Sequence, residues 1–267
     1  MLSGYVVGGE VHILREGGLG WLIIDYPERR NAVSEAMWRA LPERAAELAA
    51  DPGVRVVLLR GAGDVAFVSG ADISEFERTR SSGEASRAYE DLNQRAIAAL
   101  AEMEKPVVAM IHGFCIGGGL LLALSADLRY AADDARFGLP PARLGLGYSV
   151  RGLEMLREIA GTATAKEILF TARPVTAEHA LQMGLVNQIF PKTELEVRVR
   201  ELAGEIARTA PLTLRSAKFV LGELRKAPEE RAAVAMEASV RACFDSADYR
   251  EGVRAFLEKR TPRFEGR

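Results

Sequence analysis

Cysteine is scarce, with Cys115 and Cys243 the only two in 267 residues. Two thiols so far apart suit neither a disulfide framework nor a zinc site, and a reducing compartment is the default expectation. Neither sign of charge is in excess: 35 Lys and Arg stand against 37 Asp and Glu, a formal net charge of −2. That removes the electrostatic basis for nucleic-acid binding. No apolar run approaches the ~20 uncharged residues that span a bilayer, and the run at 120–124 is far shorter. The opening segment lacks the basic start and long apolar stretch of a signal peptide. Fixed-spacing repeats and low-complexity linkers are also missing. The expectation is a cytoplasmic protein with no nucleic-acid and no membrane partner. What is present is ordinary for a globular chain, 48% hydrophobic and 27% charged, too apolar for disorder. The length allows one large domain or a domain with an appendage.

The first half alternates strand and helix signals. Short apolar runs at 11–14 and 20–25 flank Gly17-Gly18 and read as a hairpin. Ser34 is placed to cap a helix running to about Ala50, which Pro42 is expected to shorten or kink. The Val- and Leu-rich stretches at 54–59 and 106–111 read as buried parallel strands. A shorter strand is expected at 128–131. Residues 84–104 read as a long helix, with Ile97, Leu100 and Ala101 on one face. After a last strand at 186–190 the signals are helical throughout, at 195–209, 211–225, 228–244 and 248–259. Strand–helix alternation followed by helices alone predicts an α/β core, residues 1–192, and a helical region, residues 193–267.

Two glycine-containing segments stand out, Phe67-Val68-Ser69-Gly70-Ala71-Asp72-Ile73 and Ile111-His112-Gly113-Phe114-Cys115-Ile116-Gly117-Gly118-Gly119. The second runs into an apolar helix at 120–125. Taken alone, the glycine triplet reads as a tight turn before a buried helix. It is no phosphate loop, because no Lys-Ser or Lys-Thr follows, and it does not match Gly-x-Gly-x-x-Gly. Glycines also let backbone approach a ligand, and a helix start offers free N–H groups. Two such donors can hold an oxyanion.

Taken together, the motifs carry a resemblance along nearly the whole chain. Arg30-Asn31-Ala32, Ser69 to Ile73, His112-Gly113 with the triplet, Asp127, Phe137-Gly138 with Leu144-Gly145, Gly184-Leu185-Val186 and the tail Phe256 to Arg260 follow one another in order. In them the sequence resembles the crotonase superfamily, the enoyl-CoA hydratase/isomerase family. The resemblance implies an α/β spiral of ββα units with a C-terminal helical trimerisation region. It also implies a homotrimer or dimer of trimers, a place in fatty acid metabolism, and no cofactor beyond the coenzyme A of an acyl-CoA substrate. By position, Ala71 and Gly118 supply the oxyanion-hole amides. Ser69, Gly70, Asp72, Ile73 and Gly117 line the path of the substrate, Arg30 lies near the CoA phosphates, and Phe256 and Lys259 reach the nucleotide end from a neighbouring subunit. No metal is implied.

One departure bears on the reaction. Hydratases of the family carry one glutamate two residues after the glycine triplet and another four residues after the Phe of Phe-Gly; here those positions hold Leu121 and Pro141. Neither can activate water or donate a proton, each such group being worth on the order of 10²–10⁴-fold. The loop from Leu144 to Gly152 resembles the methylmalonyl-CoA decarboxylase branch, which places a tyrosine at the position of Tyr148. That branch tends to carry a glutamate at the Leu121 position and a histidine at the Ala71 position, unlike this chain. Decarboxylation leaves an enolate without needing a base, within apolar walls expected from Leu120, Leu121, Leu139 and Val150. Tyr148 is then either a proton donor or a structural tyrosine. Rival readings are a hydratase using Glu154, a thioester hydrolase using Glu154 or a rim glutamate, and a silent acyl-CoA binder; Glu75 and Glu77 follow the first segment and rim the pocket, and neither is expected to act as the base. Glu154 is expected to face outward, Asp127 and His112 to be structural, and His179 to lie on the surface.

Overall fold

The hairpin around Gly17-Gly18 forms, with β1 (Glu10–Glu16) antiparallel to β2 (Leu19–Asp25) from Glu10↔Asp25 to Glu16↔Leu19. The computed structural model describes residues 9–79 and 81–267, so most of the segment read as lacking a signal peptide lies outside the described residues. Ser34 caps α1 (Glu35–Ala50), its hydroxyl accepting from the Met37 N–H at 3.3 Å. The helix continues past Pro42 to Ala50. The proline forfeits the N–H that would bond the Trp38 carbonyl, but Met37, Trp38, Leu41, Ala45 and Leu48 bury one continuous face that holds the helix together. The expected shortening does not occur.

The chain then repeats a unit of strand, strand, helix. The first comprises β3 (Val56–Gly61), β4 (Ala66–Val68), a short α2 (Phe76–Thr79) and α3 (Gly83–Ala101). The second is β5 (Val107–Ile111), β6 (Phe114–Ile116) and α4 (Gly118–Ser125). The third is β7 (Leu128–Ala132), β8 (Arg136–Gly138), α5 (Val150–Ala160) and α6 (Thr162–Thr171). β9 (Val175–Thr176), α7 (Ala177–Gln182) and β10 (Gln188–Phe190) complete the sheets. The first strand of each unit joins a six-stranded sheet ordered β1-β2-β3-β5-β7-β10, parallel except for the β1–β2 hairpin. The second strand of each joins a four-stranded sheet ordered β4-β6-β8-β9. The units therefore wind as a spiral, and α4 runs through its middle, apolar all round and buried from Gly119 to Ser125, as an enclosed helix must be.

The remaining helices are α8 (Leu195–Ala207), α9 (Pro211–Leu224), α10 (Ala233–Asp245) and α11 (Ala247–Leu257). The stretch expected as one helix at 228–244 splits, a single 3₁₀ turn at Pro228–Glu230 preceding α10. Leu195, Val199 and Ala203 of α8 pack with Trp21, Val56, Leu58 and Val108 on the outer face of the large sheet. In packing terms the outlying helical group is thus α9–α11. Lys218 of α9 ties this group to the core, its Nζ donating to the Asp127 carboxylate (2.7 Å) and to the Lys105 carbonyl (3.2 Å). Asp127 also accepts the Val107 N–H at 2.7 Å, the structural role expected of it. Among the described residues no helix is long and apolar enough to cross a membrane.

One buried side chain stitches the first two crossings. Asn31 is 1% exposed and left-handed at φ 55°. Its Oδ1 accepts the Tyr26 N–H (2.9 Å), and its Nδ2 donates to the Ala62 (2.9 Å) and Ala66 (2.7 Å) carbonyls. Asn31→Ala strands these groups and puts a Cβ-bearing apolar residue at positive φ. It is expected to lower the unfolding free energy by about 3 kcal/mol, read from urea titration with an unchanged m-value; a loss below about 1 kcal/mol contradicts this role.

Candidate active site

The two glycine-containing segments meet at the ends of β4 and β6. Beyond β4, Ala71 forms a parallel bridge to Val33. Val33 N–H donates to the Gly70 carbonyl at 2.8 Å, and Asp72 N–H donates to the Val33 carbonyl at 3.0 Å. In a parallel bridge of this kind the flanking residues supply the bonds, so the Ala71 N–H faces away from Val33. Asp72, buried, caps the turn at Ile73–Glu75 by accepting from Ser74 N–H (3.0 Å) and its hydroxyl (2.7 Å), while Ile73 is exposed.

Beyond β6, Gly117 turns at φ 58°, donates to the Gly138 carbonyl at 2.8 Å and starts α4. Its own carbonyl accepts from Leu120 and Leu121. Gly118 and Gly119 occupy the first turn, where amides have no partner within the helix. Close approach excludes a side chain at Gly118 and Gly119, and the left-handed φ of 58° favours glycine at Gly117. A Cβ on Gly118 would stand 2.9 Å from the Trp38 ring and one on Gly119 2.3 Å from the Val68 carbonyl oxygen. A Cβ on Gly117 would stand 3.8 Å from the Gly70 Cα, and one on Gly70 3.4 Å from the Ile116 carbonyl oxygen. A Cβ on either residue would thus just reach the other segment, and the two segments lie side by side with the buried Trp38 beneath Gly118.

Tyr148 reaches this junction from the loop before α5. It is half-buried against the core, and its Oη lies 3.6 Å from where a Gly117 Cβ would be. Leu121 is buried and packs on the start of α5, its methyls 3.1 and 3.3 Å from where a Gly152 Cβ would be. Leu120 and Leu139 are buried, as is Pro141, which opens a 3₁₀ turn. Val150 departs from expectation: it is the first residue of α5 and is 73% exposed, so its side chain is no enclosed wall.

Arg30 and Ser69 lie together on the outer side of the junction. Ser69 N–H donates to the Arg30 carbonyl (3.1 Å) and its hydroxyl to the Arg29 carbonyl (3.3 Å), while the Arg30 guanidinium lies 5.1 Å over the Phe114 ring. Phe256 and Lys259 are elsewhere, exposed at the end of α11. Phe256 lines an apolar cavity of about 710 Å³ between α9, α10 and α11, with Phe244, Tyr249 and Val253. This volume holds none of the glycines of the junction.

The other ionisable groups fall away from the junction. Glu154 and His179 are exposed on α5 and α7. His112 is buried, its Nε2 has no hydrogen-bond partner, and burial beside Arg60 pulls its pKa down to about 4. Burial pushes the Cys115 thiol up, which makes it inert. Among the described residues no group of three or more His, Cys, Asp or Glu could hold a metal ion. Sequence reasoning missed Trp38 and Gly152. Trp38 was detectable only as one apolar residue on the inner face of α1, and nothing in its spacing marks it as a floor.

The family profile described as Enoyl-CoA hydratase/isomerase matches residues 15–267. Crotonyl-CoA hydratase of Syntrophomonas wolfei is 35% identical over 250 residues, 94% of this chain and 95% of that protein. The crystal structure of an enoyl-CoA hydratase/carnithine racemase from Magnetospirillum magneticum superposes with a TM-score of 0.93 at 35% identity, covering 96% of each chain. Spiral, buried central helix and glycine junction define a crotonase-type protein. The chain belongs to the enoyl-CoA hydratase/isomerase family, whose members act on acyl-CoA thioesters. Methylmalonyl-CoA decarboxylase of Escherichia coli is 33% identical over 246 residues, covering 91% and 92% of the two chains. The likeness to the decarboxylase is therefore no greater than that to the hydratase.

The depressed His112 pKa has a defined signature. The folded state keeps the ring neutral, while an unfolded histidine takes up its proton near pH 6.5. The contribution is complete above that pH and is lost as pH falls toward 4. Between pH 7 and 4.5 the wild type is expected to lose about 2 kcal/mol more unfolding free energy than His112→Gln. Parallel pH profiles for the two proteins contradict the assignment.

Proposed function

We propose that this protein binds an acyl-CoA thioester and stabilises its enolate between the Ala71 and Gly118 amides, acting as a lyase of the decarboxylating kind. The observation that carries the reading is what stands at the two positions of the family's glutamates: Leu121 and Pro141, both buried. Hydration needs an activated water and a proton donor, and neither side chain supplies one. The exposed Glu154 is poorly placed to replace them.

Loss of CO₂ from a malonyl-type thioester has no such requirement. The bond between the α-carbon and the carboxylate breaks, and its electron pair moves onto the thioester oxygen as an enolate. Two backbone donors aimed at that oxygen lower the barrier where the charge develops. The apolar surface of Leu121 and Leu139 disfavours the carboxylate more than the dispersed charge that follows. The phenol of Tyr148, a donor at neutral pH, gives its proton to the α-carbon as the enolate collapses to the thioester, and the phenolate left behind takes a proton back from solvent. Ser69 to Ile73 and Gly117 line the thioester arm, and Arg30 faces the CoA phosphates. Phe256 and Lys259 serve a neighbouring subunit's nucleotide end in a trimer or dimer of trimers, assembled through the helical region at 193–267.

A panel of malonyl-, methylmalonyl-, crotonyl- and longer enoyl-CoA esters, read by mass spectrometry, tests this. Loss of CO₂ from a malonyl-type ester is expected, with slow or absent hydration of crotonyl-CoA. Hydration on the order of 10–10³ s⁻¹ contradicts it, release of free CoA marks a hydrolase, and no turnover at all marks a silent binder. Tyr148→Phe removes one oxygen and keeps the packing. It is expected to lower kcat at least ten-fold, about 1.4 kcal/mol, with little change in acyl-CoA affinity. Wild-type turnover in Tyr148→Phe makes the tyrosine structural.

A further inference from the structure

The chain after Ala71 is bolted to the start of α1 by a carboxylate that the enolate chemistry does not use. Glu75 closes the turn that Asp72 opens, and its Oε2 accepts the Glu35 N–H at 2.7 Å. Glu35 is the first residue of α1, and that N–H has no acceptor within the helix. The other oxygen, Oε1, accepts from Arg78 at 3.1 Å. Arg78 also donates to the Glu35 carboxylate at 2.6 Å, which receives Arg39 as well at 2.7 Å.

Two fasteners therefore bracket the Ala71 amide. On one side Val33 bonds Gly70 and Asp72; on the other Glu75 bonds Glu35, two residues beyond Val33 on the same stretch of chain. Residues 70–75 can move away from α1 only by breaking both. Both Glu75 oxygens are engaged by donors that belong to the protein, which is the arrangement of a clamp and not of a group exchanging protons with a ligand. We infer that Glu75 is a positioning residue that fixes the direction of the Ala71 N–H, through its bond to the Glu35 amide; this rests on the oxyanion-hole reading of Ala71. Glu77 is exposed on the same segment and shares none of these bonds.

The test reads the polarisation of a bound carbonyl. Crotonyl-CoA labelled with carbon-13 at the thioester carbonyl is bound to the full-length protein, and its stretching frequency is taken from difference infrared spectra. In the wild type the band moves to lower frequency, as hydrogen bonding to a carbonyl requires. Glu75→Ala is expected to lose at least half of that shift. Glu75→Gln, whose amide oxygen still accepts the Glu35 N–H, and Glu77→Ala keep it. Crotonyl-CoA affinity changes less than about threefold throughout. If Glu75→Ala does not fold, Glu75→Asp, one methylene short of the Glu35 amide, takes its place with the same expectation. A full shift in the shortened variant, or a loss in Glu75→Gln equal to that in Glu75→Ala, overturns the inference and leaves the oxyanion hole standing. No shift in the wild type overturns the oxyanion hole and the inference with it.

Discussion

The close approach of the first turn of α4 to the end of β4 and to Trp38 is the constraint on which the site depends. A side chain at Gly118 or Gly119 would collide with the Trp38 ring or the Val68 carbonyl, and one at Gly117 would fill the gap to Gly70. Because those side chains are absent, the first turn of α4 can lie beside the chain leaving β4. The spiral serves this approach. Each of its first two units delivers one segment, the second strand of each adds to the small sheet, and β4 and β6 end side by side. The apolar length of α4 then anchors the junction in the interior. Burial of its leucines, on the order of 2 kcal/mol each, supplies what the glycines forgo in conformational entropy.

Leu121 and Pro141 change the electrostatics of such a junction. A glutamate there would bring charge and water; a leucine packed on Gly152 and a buried proline bring neither. Hydrogen-bond donors become stronger in a site from which water is excluded, so losing the acids need not silence the site. On the proposed reading it favours reactions that make an enolate without taking a proton. The Tyr148 hydroxyl lies beside Gly117, and on the same reading it is the proton donor.

Long elements with a clear period were legible in the sequence. The hairpin, the Ser34 cap, the two central strands and the helices after residue 195 follow from alternation, capping and apolar density. The strands of the small sheet were not, since β4, β6 and β8 are three residues each and β9 two, too short to show a period. Pro42 was read from its local effect alone, and the buried face of α1 outweighed it. At the site, the glycines were visible as letters, but the reason for Gly118 and Gly119 lies in Trp38 and Val68, which only the tertiary structure brings near. The bond from Glu75 to the first amide of α1 spans forty residues and leaves no local signature.

A crystal structure with a bound acyl-CoA tests the central claim most directly. The account requires the thioester oxygen to accept from both the Ala71 and the Gly118 N–H groups, at about 2.7–3.1 Å from each nitrogen, with the acyl group against Leu121. A thioester oxygen that meets neither amide, or two amides that face different cavities, contradicts it.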